Sequence, residues 1–364
     1  MDSTPKLAPV DLEEFPDFLK AVHGYEPFPW QSAYAERAAE SGVWPDLDVP
    51  TGLGKTSLID IWIFLLAWQH ANGQARTVPL RLFFVVDRRL VVDQAHEHAT
   101  TLQNVLQGAL RNPAQTRKEV VVRVARALAA LGGEGQALET VRMRGGVDWA
   151  SRWLRSPAQP AVITSTVDQY GSRLLFRGYH TSPRMRPVDA ALCGIDALLA
   201  VDEAHIALPL LETAADCARY QATATDPTFA DRAVRVVSLS ATAASGDGRP
   251  RHPLTEKDHH HPVARRRLRA KRRVTLLDAS TAAKSATEAS AVTARLAVEA
   301  LLPASQDPYP IRPRHRCRQT VVKGIHAPHR PLFLETLRMQ TVNTGADTWS
   351  SGPHGCVRGS CPSN

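Results

Sequence analysis

The chain has 364 residues, 43% of them hydrophobic and 22% charged, enough for about two domains at ~150 residues each. The longest apolar run, Ile59–Trp68, is broken by Asp60 and falls well short of a bilayer span, and the acidic segment Met1–Glu14 has no apolar core. Neither a membrane-spanning helix nor a signal peptide is therefore expected. The net charge of +8 is concentrated between Arg249 and Arg273, where ten Lys/Arg face only Glu256 and Asp258, a stripe suited to a polyanion. The five cysteines form no Cys-x-x-Cys pair, which points to a reducing cytoplasm.

In chain order, residues 1–45 form an N-terminal segment carrying Gln31 directly after Phe28-Pro29-Trp30. A Gln amide both donates and accepts, so Gln31 is expected to read the adenine edge of a nucleotide. A strand over Leu47–Val49 leads into Pro50-Thr51-Gly52-Leu53-Gly54-Lys55-Thr56, and a helix over Lys55–Gln69 follows. Strand, glycine-bearing loop and helix N-terminus together aim backbone N–H groups at anionic oxygens. Thr51, Gly52, Leu53 and Gly54 are expected to cradle the phosphates of ATP. Lys55 would hold the β and γ phosphates, and the Thr56 hydroxyl would ligate Mg²⁺.

Leu80–Val86 predicts a strand and Leu90–Leu106 a helix. Val120–Val122 has strand character, but Val120, Val124, Leu128 and Leu131 fall at helical spacing, so Lys118–Leu131 is expected to be a helix. Further strands are expected over Glu139–Met143, Ala161–Ser165, Ala197–Val201 and Arg235–Leu239, with a helix over Ile206–Ala215. Several strands are continuous apolar runs, as in strands covered on both faces. The alternation predicts an α/β domain over 46–245 with a largely parallel sheet.

The Ala197–Val201 strand delivers Asp202 and Glu203 at its C-terminal end, followed by Ala204 and His205. Adjacent carboxylates ending a buried run need a cation, so Asp202 is expected to take Mg²⁺ and Glu203 to orient an attacking water. Ser238-Leu239-Ser240-Ala241-Thr242 ends the last strand with hydroxyls able to reach that acidic pair. His259–His261 are not expected to bind metal, because consecutive histidines diverge on any regular element. Residues 246–302 are expected to be a basic linker followed by a helix over Ala282–Leu302. Residues 303–364 hold eight prolines, seven arginines and only three acids, a composition that rarely packs a sheet.

These motifs, in this order, resemble the first RecA-like domain of superfamily-2 helicases, for which Pro-Thr-Gly-x-Gly-Lys-Thr and Asp-Glu-Ala-His are typical. With Phe83–Gln94, Ile163–Gln169 and Gly171–Tyr179, the chain from about Phe15 to Leu302 resembles the helicase–nuclease of type I CRISPR systems, in the subtype whose nuclease follows the helicase. The resemblance implies that Arg88, Arg89, Thr166 and Gln169 contact the tracked DNA strand, and that His205, Ser240 and Thr242 couple hydrolysis to movement. The competing view of Arg88 and Arg89 is a surface pair bridging Asp87 and Asp93. The resemblance also implies single-stranded DNA and a Cascade-type surveillance complex as partners. Residues 303–364 then correspond to a degenerate or truncated second domain: Asn343 stands where an acid is expected, and no Gln-x-x-Gly-Arg-x-x-Arg arginine-finger motif occurs. No His-Asp dipeptide is present for the nuclease. The expected activity is Mg–ATP binding, with Lys55, Asp202 and Glu203 as the catalytic set and hydrolysis impaired. The alternative is a non-catalytic basic nucleic-acid-binding module with a vestigial ATP site.

Overall fold

The computed structural model describes residues 7–116, 118–132, 135–144, 156–240 and 248–270 with side chains, and the backbone of strands 272–275, 319–324 and 334–341. The chain divides into two units, Met1–Leu268 and Arg269–Asn364.

The first unit is built on seven strands: β1 (Asp46–Asp48), β2 (Arg81–Val86), β3 (Glu139–Met143), β4 (Ala161–Thr166), β5 (Ala197–Asp202), β6 (Arg235–Ser240) and β7 (Arg251–Pro253). Their order is β3-β4-β2-β5-β6-β1-β7, and every pairing is parallel. All C-terminal strand ends therefore lie along one edge. Asp48 is in register with Ser240, and Asp202 with Leu239, which lines up the ends of β1, β6 and β5.

The core lies on both faces of the sheet. Leu82, Phe84 and Val86 of β2 join Leu198 and Ala200 of β5 in one apolar cluster, while Phe83 and Val85 join Leu199 and Val201 in the other. This is the period-2 alternation of a pleated strand with both faces buried. Helices α1 (Phe15–His23), α2 (Pro29–Ser41), α3 (Leu58–Ala71), α4 (Arg89–Arg111) and α5 (Glu119–Gly132) contribute apolar residues to the first cluster. Helices α6 (Val167–Leu174), α7 (Arg186–Gly194) and α8 (Leu208–Ala222) contribute to the second. Helix α3 is buried almost all round, from Leu58 to Ala67, which explains why its sequence carries no polar stripe. The Lys118–Leu131 segment is helical, as its spacing predicts, because Val120, Val124 and Leu128 all point into the core.

Short helices α9 (Pro227–Asp231), α10 (Glu256–His260) and α11 (Pro262–Leu268) complete this unit. Residues 251–268, expected as part of a linker, are thus structured: β7 extends the sheet beside β1, and Asp258 of α10 is fully buried. Charge density alone hid this, because the apolar and hydrogen-bonding residues between the arginines, His252, Asp258 and Ala264, are the ones buried.

In the second unit, β8 (Arg272–Thr275), β9 (Gln319–Gly324) and β10 (Leu334–Thr341) form an antiparallel sheet of order β8-β10-β9. The expectation that 303–364 packs no sheet is thus overturned by β9 and β10, whose short β-branched and apolar runs pair despite the surrounding prolines. The expected helix over 282–302 and Asn343 lie outside the described residues. Among the described residues no helix is long and apolar enough to cross a membrane.

Candidate functional site

The loop leaving β1 turns sharply at Gly52 (φ 91°) and Gly54 (φ 76°) before a 3-10 turn over Lys55–Ser57 opens into α3. The helix therefore starts with a tight turn rather than a full α-helical one at Lys55. Gly54 is required twice over, since its φ is left-handed and a Cβ there would lie 2.9 Å from Gln31 Nε2.

Two residues of α2 hold this loop from behind. Trp30 Nε1 donates to the Leu53 carbonyl at 3.0 Å. Gln31 Nε2 donates to the Gly54 carbonyl at 3.2 Å and to Ser57 Oγ at 2.6 Å, while its Oε1 accepts from the Phe28 N–H at 2.8 Å. At 1% exposure, with both amide protons engaged, Gln31 braces the glycine loop from behind.

Helix α10 braces α2 beneath that loop, and α11 reaches the loop itself. Asp258 Oδ1 accepts from the Trp30 N–H at 2.7 Å, and its Oδ2 accepts from Thr255 N–H and Oγ1–H at 2.9 and 2.8 Å. Arg267 donates to the Gly52 carbonyl, and its guanidinium lies 5.6 Å from the centre of the Phe28 ring. His261 meets the same ring edge-on at 5.2 Å. Part of the basic stripe is thus engaged with the glycine loop itself, which a composition count could not reveal.

Opposite the loop, Asp202 ends β5 and Glu203 follows in a left-handed conformation (φ 51°). Such a φ is costly for a residue with a Cβ and marks a locally constrained backbone. The Glu203 N–H donates to Leu239 O and to Asp202 Oδ1, which pins the turn to β6. Lys55 Nζ lies 2.9 Å from Asp202 Oδ1 and 3.9 Å from Glu203 Oε1, and Thr51 Oγ1 lies 3.5 Å from Glu203 Oε1. Lys55 is only 6% exposed, and its ammonium has no well-aligned hydrogen bond despite the close carboxylate. A buried ammonium in this condition has capacity left for anionic oxygens. Asp202 and Glu203 offer only oxygen donors, the type that suits a hard divalent cation.

His205 is half exposed, with Nδ1 3.6 Å from Glu203 Oε2. Ser240 is buried at the end of β6, and Thr242 lies outside the described residues. Arg88 and Arg89 are exposed where β2 passes into α4, on the sheet edge shared with the glycine loop. Among the described residues neither forms an ion pair. Asp93, the partner weighed for them, is instead held by Arg142 at 3.1 Å and Arg144 at 2.8 Å. Thr166 ends β4 and is 9% exposed. Gln169 is 8% exposed and accepts hydrogen bonds from Arg173 through its backbone and side-chain oxygens.

No protein-family model matches the chain, and no curated protein matches it. Among solved structures the chain is similar to the yeast DEAD-box splicing factor Prp28, at 12% identity and a TM-score of 0.37. The match covers 66% of this chain and 48% of that one, so this chain spans about half the length of that structure.

Sequence reasoning missed Trp30, Asp258 and Arg267 as supports of the glycine loop. It also missed a buried cluster, His23–Asp60–His98, although Asp60 inside an apolar run was a visible signal that a partner had to exist.

Proposed function

We propose that the first unit binds Mg–ATP and acts as the ATP-binding half of a nucleic-acid-dependent helicase of the Asp-Glu-x-His class. The observation that carries this reading is the buried Lys55 ammonium, set between the glycine loop and the Asp202–Glu203 pair. Lys55 would bind the terminal phosphates, with the loop N–H groups around them, and Asp202 and Thr56 would hold Mg²⁺. The ion supplies charge neutralisation on the phosphates when bound. Glu203, whose N–H bonds the Leu239 carbonyl of β6, would orient the attacking water, and His205, 3.6 Å from its carboxylate, would couple hydrolysis to movement.

Without an arginine-finger motif in the sequence, hydrolysis by this chain is expected to be slower than in a complete helicase by ~10³–10⁵-fold. Single-stranded DNA is the proposed polymer, with Arg88 and Arg89 as phosphate contacts; their exposure and lack of acidic partners support this. The type I CRISPR role and the Cascade-type partner rest on the sequence motifs alone. The alternative of a basic module with a vestigial site is weakened because Arg249 and Arg267 are engaged with Asp46 and Gly52 rather than lying free.

Isothermal titration calorimetry tests the reading. Magnesium-dependent uptake of ATP that Lys55→Ala abolishes is the expected result. A flat titration of the folded wild-type chain overturns it, and DNA affinity indifferent to both ATP and Lys55→Ala would favour the module.

A further inference from the structure

We propose that His23, Asp60 and His98 form a binding site for a divalent transition-metal ion of the zinc type. His23 is the last residue of α1, Asp60 lies in the first turn of α3, and His98 lies on α4. His23 Nε2 is 2.8 Å from Asp60 Oδ1, and His98 Nε2 is 2.6 Å from Asp60 Oδ2. The three potential ligand atoms all lie within 4.8 Å of one another. Among the described residues this is the one such cluster of His, Cys, Asp or Glu.

The donor set decides the class of ion. Two imidazoles and one carboxylate suit zinc and its first-row neighbours, whereas Mg²⁺ and Ca²⁺ take all-oxygen sites. The site is therefore chemically distinct from that at Asp202. Asp60 is 0% exposed. Each of its carboxylate oxygens faces one imidazole nitrogen, Oδ1 that of His23 and Oδ2 that of His98.

The hydrogen-bonded arrangement is tighter than a metal-bound one. Ligands ~2.0–2.2 Å from a tetrahedral ion sit roughly 3.3 Å apart, so the cluster must open by about half an ångström. The imidazole rings, now stacked at 4.4 Å and 18°, must also turn toward the ion. His23 has the freedom to do so, as the last helical residue before Gly24 in a left-handed turn. The His98 side chain, 16% exposed, gives an entry route from solvent. On binding, each Nε2 gives its lone pair to the ion; an imidazolium releases its Nε2 proton to solvent, and a neutral ring carries its single proton on Nδ1 instead. The ion would tie α1 and α4 to α3, the helix that emerges from the glycine loop.

The test uses the full-length chain stripped with chelator and titrated with Co²⁺ and then Zn²⁺. We expect one equivalent of Co²⁺ with the visible d–d absorption of a low-coordinate site, no thiolate charge-transfer band, and displacement by Zn²⁺. The double variant His23→Gln/His98→Gln keeps amide donors for Asp60 and so protects the fold; it should lose the signal while retaining the wild-type circular dichroism. Absence of uptake by the wild-type chain overturns the proposal and leaves a proton-sharing network. A thiolate band, or a signal unchanged in the double variant, also overturns it by placing the ion on other residues. Should the variant fail to fold, the wild-type titration and its band pattern still decide.

Discussion

Lys55 Nζ lies 2.9 Å from Asp202 Oδ1, joining the loop after β1 to the end of β5 across the intervening strand β6. The ammonium is almost buried and the carboxylate is 17% exposed, so the two do not contribute alike to stability. Asp202→Asn removes the nearest negative charge and leaves the ammonium with Glu203 at 3.9 Å. Unfolding free energy should fall by ~1–3 kcal/mol, below the cost of breaking a fully buried pair. Lys55→Met removes the buried cation and should be closer to neutral. Thermal unfolding of the two variants without nucleotide checks the ranking, and the reverse order would refute it.

Gln31 supports the glycine loop through its bonds to Gly54 and Ser57. Gln31→Ala should therefore weaken ATP and GTP alike, by roughly tenfold for the loss of about 1–2 kcal/mol of hydrogen bonding. Competition titrations measure this. A selective loss of ATP over GTP would favour the adenine-reading role.

The two loop glycines should respond unequally. Gly52→Ala meets no atom within 4 Å and bears only the cost of its positive φ, about 1–2 kcal/mol. Gly54→Ala bears the same backbone cost and also drives a Cβ to 2.9 Å from Gln31 Nε2. Denaturant unfolding should place Gly54→Ala below Gly52→Ala in stability, and combining it with Gln31→Ala should recover part of the difference.

Asp258 links the C-terminal part of the first unit to α2. Asp258→Ala leaves the Trp30 and Thr255 N–H groups without their acceptor, a loss of roughly 2–4 kcal/mol. A domain of this size should then lose several degrees in Tm, at ~2–4 °C per kcal/mol. Calorimetry that finds Asp258→Ala as stable as the wild type would show these bonds to be replaced by water.

The parallel strands illustrate what was legible in advance. Six of the seven parallel strands were predicted within about a residue, because buried strands advertise themselves as unbroken Val, Ile, Leu and Phe runs. β7 escaped, being three residues long and carrying Arg251, His252 and Pro253. Helices α1 and α2 were not anticipated either; Pro16 and Pro29 each occupy the first turn of their helix, where proline is tolerated.

By itself, the sequence determined the α/β alternation, the place of the glycine loop, and the ends of β1, β5 and β6, because these depend on local periodicity and on residues a few positions apart. Only the tertiary structure decided that Gln31 turns inward, that Arg267 reaches the loop and Asp258 reaches α2 from the basic stripe, and that Asp60 lies between two histidines. Those are pairings between segments distant along the chain. Their partners are selected by the packing of helices on an open parallel sheet, where a buried polar group must find its complement wherever the fold brings one.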